Sequence, residues 1–241
     1  MSCGEAHARM HSSRTDRRNV GTGLMHPTPF FYTDNDFAKE IGLVAVGGDL
    51  SPARLLAAYQ SGIFPWYNDG EPICWWSPDP RAIFDLNRLH ISRRLERTIR
   101  SGRFRLTLDA DFSGVIRGCA EGRDEGTWIT ADMIDAYEHL HSLGRAHSVE
   151  CWHRQKLVGG IYGVAIGGFF AGESMFHRES DASKVALAHL TQLLRNSGFH
   201  LFDTQFLTDH TARMGAIEIP RAVYLDRLAK ALRYPAVLRS G

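Results

Sequence analysis

From about residue 30 onward, apolar positions recur at helical and strand spacing by turns, the pattern of a mixed α/β chain. Residues 41–46 read as a short strand closed by Gly47 and Gly48. Ser51 as N-cap, Pro52 at the first helical position and Gly62 after the last periodic residue predict a helix over 52–61. The aromatic segments Phe64-Pro65-Trp66-Tyr67 and Cys74-Trp75-Trp76-Ser77-Pro78-Asp79-Pro80 carry enough proline to predict a loop. A basic helix over 91–101, a strand over 104–108 and a short helix over 112–119 follow. Thr130 then caps a helix with the apolar stripe Met133, Ile134, Tyr137 and Leu140. A strand begins at Val149, and residues 157–166 and 169–171 flank Gly167-Gly168 as a hairpin. A helix from Asp181, a strand over 199–206 and a helix from Pro220 complete the expected order.

No repeat of solenoid length is visible, and the glycines form neither a P-loop nor a strand–GxGxxG–helix unit. The least polar stretch, 157–172, has 16 residues, six of them Gly, too short and too glycine-rich for a spanning helix. Residues 1–25 are polar, hold four Arg and lack a secretory apolar run, so a disordered leader on a cytoplasmic protein is expected. Cys3, Cys74, Cys119 and Cys151 are scattered without C-x-x-C spacing, which indicates neither a zinc site nor a disulfide framework. The 12 His show no metal spacing either.

The net charge of +1 hides segregation: residues 81–105 hold eight Arg against two acids, a local +6 offset by −5 elsewhere. On a helix, Arg93, Arg97 and Arg100 share one face while Ile91, Leu95 and Ile99 share another. Such a helix docks by its apolar stripe and offers guanidinium groups to phosphates, or it is a solvated face paired with acids.

Three further features carry candidate chemistry. In Phe199-His-Leu-Phe-Asp-Thr-Gln-Phe206, strand alternation puts Asp203 and Gln205 on one face and Phe202, Thr204 and Phe206 on the other. Two polar groups on an apolar strand are either a buried hydrogen-bonded network or a functional pair. Glu173, after the glycine-rich hairpin, either recognises a cation or amine or meets an Arg. Trp66, Trp75, Trp76 and Trp128 are core or interface residues, or stack on unpaired bases.

The ordered motifs Gly47-Gly-Asp-Leu-Ser-Pro52, Gly62-Ile-Phe-Pro-Trp66, Trp75-Trp-Ser-Pro-Asp-Pro-Arg81, Gly126-Thr-Trp-Ile-Thr130, Gly159-Gly-Ile-Tyr-Gly163, Gly172-Glu-Ser-Met-Phe176, Ala182-Ser-Lys184, Asp203-Thr-Gln205, His210-Thr-Ala212, Met214-Gly-Ala216 and Ile219-Pro-Arg221 together resemble the bacterial leucyl/phenylalanyl-tRNA–protein transferase family over roughly residues 30–232. The resemblance implies a mixed α+β chain, with a small N-terminal α/β domain over 26–80 and an acetyltransferase-like (GNAT) catalytic domain over 81–241. It implies an aminoacyltransferase that moves Leu, Phe and less readily Met from aminoacyl-tRNA to an N-terminal Arg or Lys, creating an N-degron for proteolysis. The aminoacyl ester is already activated, so no cofactor or metal is expected.

By the same resemblance, Asp203 and Gln205 are expected to be catalytic and Glu173 to help bind the incoming amine. Trp66 and Trp128 would border the terminal adenosine and aminoacyl group. Tyr59, Ile161, Met175, Leu187, Leu190 and Phe202 are the remaining substrate-binding candidates, and Arg93, Arg94, Arg97 and Arg100 would hold the tRNA. Two rivals are an acetyl-CoA-dependent acetyltransferase, whose Q/R-x-x-G-x-G/A loop is not evident, and a non-catalytic RNA-binding module, which leaves Asp203 and Gln205 unexplained.

Overall fold

The computed structural model describes residues 30–32, 40–121 and 127–239; the expected leader and most of the 121–126 loop lie outside them. Strands β1 (Phe30–Tyr32), β2 (Leu43–Gly47), β3 (Phe64–Pro65) and β4 (Cys74–Trp76) form a small antiparallel sheet in the order β1-β2-β4-β3, with helix α1 (Pro52–Gln60) between β2 and β3. The proline-rich aromatic stretch is therefore not all loop, as expected above. Pro65 ends an edge strand, where its missing N–H costs no ladder bond, and the other prolines fall outside the strands. The Trp75 and Trp76 rings are buried, and their Nε1 groups donate to Gly47 O (2.8 Å) and Trp66 O (2.7 Å). Cys119 and Cys151 are buried, whereas Cys74 is disulfide-bonded, which the cysteine spacing gives no sign of.

The second sheet has seven strands: β5 (Arg81–Phe84), β6 (Arg105–Leu108), β7 (Ala146–His153), β8 (Lys156–Ile166), β9 (Phe169–His177), β10 (Leu201–Gln205) and β11 (Ala216–Ile219). Their order is β11-β5-β10-β9-β8-β7-β6, and β9–β10 is the one parallel pair among them. The helices are α2 (Arg93–Arg100), α3 (Phe112–Ala120), α4 (Ala131–Ser142), α5 (Ala182–Asn196), α6 (Asp209–Arg213) and α7 (Arg221–Ala231). Thr130 caps α4 as expected, its side chain accepting from Met133 N.

Both faces of this sheet are buried, which is why the hairpin sequence is apolar throughout rather than alternating. Tyr162, Val164 and Ile166 pack with α3, α4, α7 and the small sheet in one core. Ile161, Ala165 and Phe170 pack with α5 in the other. The expected apolar stripe of α2 is reduced to one residue. Leu95 is buried at 2% exposure, but Ile91 and Ile99 are exposed at 41% and 39%, because a helix of eight residues docks through little more than one turn.

Candidate active site

The cavity exists because two parallel strands part. β9 and β10 are paired only over 169–171 and 201–203, and both continue beyond that point. Each carries a register irregularity there, between Tyr162 and Gly163 on the hairpin and between Asp203 and Gln205 on β10. Gly163 is required at this bend, since a Cβ would lie 2.1 Å from Ala171 O. The strands diverge around a cavity of about 470 Å³. One wall is Gly172 to Met175 and the other is Phe202, Thr204, Gln205 and Phe206; Trp66, Trp128 and Ile161 close it.

The irregularity corrects the alternation expected for β10. Gln205 has φ +64°, a left-handed conformation, so the backbone turns there and swings its side chain onto the face of Phe202 and Thr204, away from Asp203. Asp203 is fully buried and does not line the cavity. Its Oδ1 accepts from Arg81 Nε (2.9 Å) and from Gln205 N (2.9 Å), while Oδ2 accepts from Arg81 NH2 (2.7 Å) and Tyr224 OH (2.9 Å). Asp203 thus clamps the unusual backbone of Gln205 from behind.

Arg81 completes that clamp. It is 1% exposed, donates NH1 to Gly62 O (3.0 Å), and its guanidinium lies over the Phe64 and Tyr224 rings at 4.7 and 4.5 Å. It joins the small sheet, β5, β10 and α7. Arg81, one of the eight Arg in the basic segment 81–105, is therefore not part of a basic surface. The missed signal was its position after Pro80 and before the apolar run Ala82-Ile83-Phe84, where an Arg must be paired to be buried.

Gln205 Nε2 donates to Glu173 Oε1 (3.0 Å), and Tyr137 OH donates to Glu173 Oε2 (3.3 Å). The Tyr137 and Tyr59 hydroxyls are themselves hydrogen-bonded, so Tyr59 supports the carboxyl from below and does not line the cavity. Among the described residues Glu173 meets an amide and a phenol rather than the expected alternative of an Arg. Burial pushes its carboxyl up from 4.5 to about 7, against the opposing pull of hydrogen bonds from Tyr59, Gln205 and Tyr137.

An acid whose pKa rises on folding stabilises the fold while protonated, below its ordinary value of 4.5, and loses that contribution as pH rises through about 7. Glu173→Gln, permanently neutral, is therefore expected to be more stable than the parent at pH 8, by up to about 3 kcal/mol at ~1.36 kcal/mol per tenfold change in proton affinity. Urea unfolding at pH 8 and pH 4 checks this: the gap should close at pH 4, and a variant weaker at both would contradict it.

The other candidates divide. Trp66, Trp128, Ile161, Met175 and Phe202 line the cavity. Trp66 packs against Trp76 and Phe206 with ring centroids 5.7 Å away in each case. Leu187 and Leu190 do not line it; they are buried in the core between α5 and the sheet, because their positions on α5 face the sheet rather than the strand gap. Arg93, Arg94, Arg97 and Arg100 are exposed, away from the cavity. Arg94 meets Asp181 (3.4 Å) and Arg100 meets Glu96 (2.7 Å), while Arg93 and Arg97 have no ion pair among the described residues. Those residues also contain no cluster of three potential metal ligands and no helix long and apolar enough to cross a membrane.

The family model for the leucyl/phenylalanyl-tRNA protein transferase matches residues 83–229, and that for its N-terminal domain matches 48–79. A leucyl/phenylalanyl-tRNA–protein transferase of Solidesulfovibrio magneticus is 59% identical over 80% of this chain and 80% of its own length. Another, of Alkalilimnicola ehrlichii, is 54% identical over 86% and 82%. Among solved structures, a GCN5-related N-acetyltransferase-like protein of Streptococcus suis covers 80% of this chain and 86% of its own at a TM-score of 0.37 and 13% identity.

Proposed function

The chain belongs to the leucyl/phenylalanyl-tRNA–protein transferase family, and we propose that its cavity transfers Leu, Phe and less readily Met from aminoacyl-tRNA to the N-terminal Arg or Lys of an acceptor protein in the cytoplasm, marking that protein for degradation. One observation carries the reading: a buried carboxyl and an amide, Glu173 and Gln205, are hydrogen-bonded at 3.0 Å in a cavity wall beside the apolar and aromatic side chains of Trp66, Trp128, Ile161, Met175 and Phe202.

The chemistry needs three things of the protein. The donor's apolar side chain needs a dry floor, which Ile161, Met175 and Phe202 provide; such a floor separates Leu, Phe and Met poorly, since one methylene is worth only ~1–3 kcal/mol. The terminal adenosine needs a stacking surface, which Trp66 and Trp128 offer. The acceptor α-amine must be held near the ester and be neutral when it attacks. With Gln205 Nε2 committed to Glu173, the Gln205 carbonyl oxygen is left to accept from the amine. Glu173, titrating near 7, is matched to taking the proton of an α-ammonium.

The neutral amine nitrogen then forms a bond to the ester carbonyl carbon. The bond from that carbon to the ribose oxygen breaks, and the oxygen leaves as a hydroxyl with the proton that the attacking nitrogen gives up on becoming an amide. Of the two roles open to Asp203, acting on the amine or on Gln205, its position supports the second, through the Gln205 backbone N–H. It is a positioning residue. Much of the rate then comes from orientation of an already activated ester.

Radiolabelled Phe-tRNA incubated with a protein bearing N-terminal Arg, with and without CoA, tests the reading. Label transferred without CoA supports it; transfer that depends on CoA, or RNA binding without transfer, overturns it. Arg93 and Arg97 are proposed to hold acceptor-stem phosphates. Arg93→Ala with Arg97→Ala should weaken tRNA binding and flatten the log-affinity against log-salt slope by about 1 per Arg. A filter-binding salt series reads this, and an unchanged slope would remove α2 from the interface.

A further inference from the structure

His210, on α6, has its Nε2 buried with no hydrogen-bond partner among the described residues, and the residue lines the cavity. Neighbouring polar groups are already used: the Thr208 and Thr211 hydroxyls hydrogen-bond each other at 3.0 Å and cap the helix. Leaving a buried ring nitrogen unmatched is costly, which makes it a place where a ligand atom is wanted. Among the described residues that line the cavity, Glu173 is the one acid, and His177 and His210 are the two histidines.

The surroundings say what kind of atom. Burial first, and then the charges of Lys184, His177 and Arg213, lower the pKa of His210, which favours the neutral ring in a positive corner; the tautomer with its proton on Nε2 is the one that can donate to an anion there. Two acids border the corner and both are engaged. Asp209 meets Arg213 at 3.9 Å, and Asp181 meets Lys184 Nζ at 3.6 Å. Asp181 also meets Arg94 Nε at 3.4 Å, so Arg94 of α2 and Lys184 of α5 share this carboxylate. The aromatic wall, the apolar floor and the Glu173–Gln205 pair account for the base, the side chain and the amine; the donor's sugar–phosphate is the part still without a partner.

We propose that His210, backed by Lys184 and His177, binds the phosphodiester linking the donor's terminal adenosine to the rest of the tRNA. This rests on the transferase reading above. It makes His210 a substrate-binding residue that sets the depth to which the acceptor end enters.

The test uses two minimal donors, 3′-O-phenylalanyl-adenosine and its 5′-monophosphate, with an Arg-initiated peptide as acceptor. The parent protein should favour the phosphorylated donor by about tenfold in kcat/KM, through KM, the worth of one hydrogen bond to a charged group. His210→Ala should bring that ratio to about twofold or less, and His210→Gln, which keeps an N–H near the Nε2 position, should retain most of it. The same ratio is read separately from inhibition of Phe-tRNA transfer by 5′-AMP and by adenosine. A ratio unchanged in His210→Ala, or a parent indifferent to the phosphate, overturns the assignment while leaving the transferase reading intact. A parent that transfers nothing from Phe-tRNA overturns both.

Discussion

Asp203→Asn is expected to lower the stability of the protein by about 3–5 kcal/mol, a large part of the ~5–15 kcal/mol typical of a folded domain. The reason is electrostatic. Arg81 is 1% exposed and Asp203 is fully buried, and four hydrogen bonds converge on the carboxylate. Asparagine keeps the shape but leaves the guanidinium as an uncompensated buried charge. Urea denaturation should show a lower midpoint with an unchanged slope.

A double substitution then separates stability from function. Arg81→Met with Asp203→Leu replaces the pair by apolar groups and should recover much of the lost stability, since buried pairs are often exchangeable for well-packed hydrophobes. It does not restore an acceptor for the Gln205 N–H, now 2.9 Å from Asp203 Oδ1. Turnover should therefore stay depressed by about 10²-fold, the order expected when a reacting group is misplaced by an ångström. A double variant that is both stable and fully active would show that Asp203 does nothing for Gln205.

Glu173→Gln is expected to reduce kcat/KM by about 10²–10⁴-fold, and Gln205→Ala to follow it. The pH profile identifies the cause. In the parent, kcat/KM should rise with pH through about 7 as Glu173 ionises, because only its carboxylate form can accept the ammonium proton. In Glu173→Gln that limb should be gone, and the residual activity should rise only with the acceptor's own α-amine, near ~7.7–8.0. A variant that keeps the limb at about 7 would take Glu173 out of the proton path. Coupled with the higher stability expected of the same variant at pH 8, this describes a carboxyl kept for chemistry at the expense of the fold.

Much of this was legible in the linear chain, and the limits of that reading are physical. Helix starts were well marked, because caps and first-turn prolines are local signals: Ser51-Pro52 and Thr130 stand where α1 and α4 begin. β4 and β5 were missed, because Cys74–Trp76 and Arg81–Phe84 are short strands among prolines whose pairing partners lie far away in sequence. Glu173, Gln205, Trp66, Trp128, Ile161, Met175 and Phe202 are implied by the ordered motifs and the family resemblance, and all line one cavity, whereas Asp203 and Tyr59, implied in the same way, do not. Leu187 and Leu190 were not separable from them, since apolar residues on α5 look alike until the sheet fixes which way each faces.

Most of the helices, the apolar hairpin and the types of group available for chemistry follow from the sequence itself, because they depend on local propensity, spacing and composition. The tertiary structure alone decided how those groups are presented. A left-handed backbone at Gln205 broke the expected alternation, turned the amide into the cavity and left Asp203 behind it. Arg81, 122 positions earlier, became its counter-ion. That outcome depends on where β9 and β10 stop pairing, and no period along the chain encodes the point at which two strands separate.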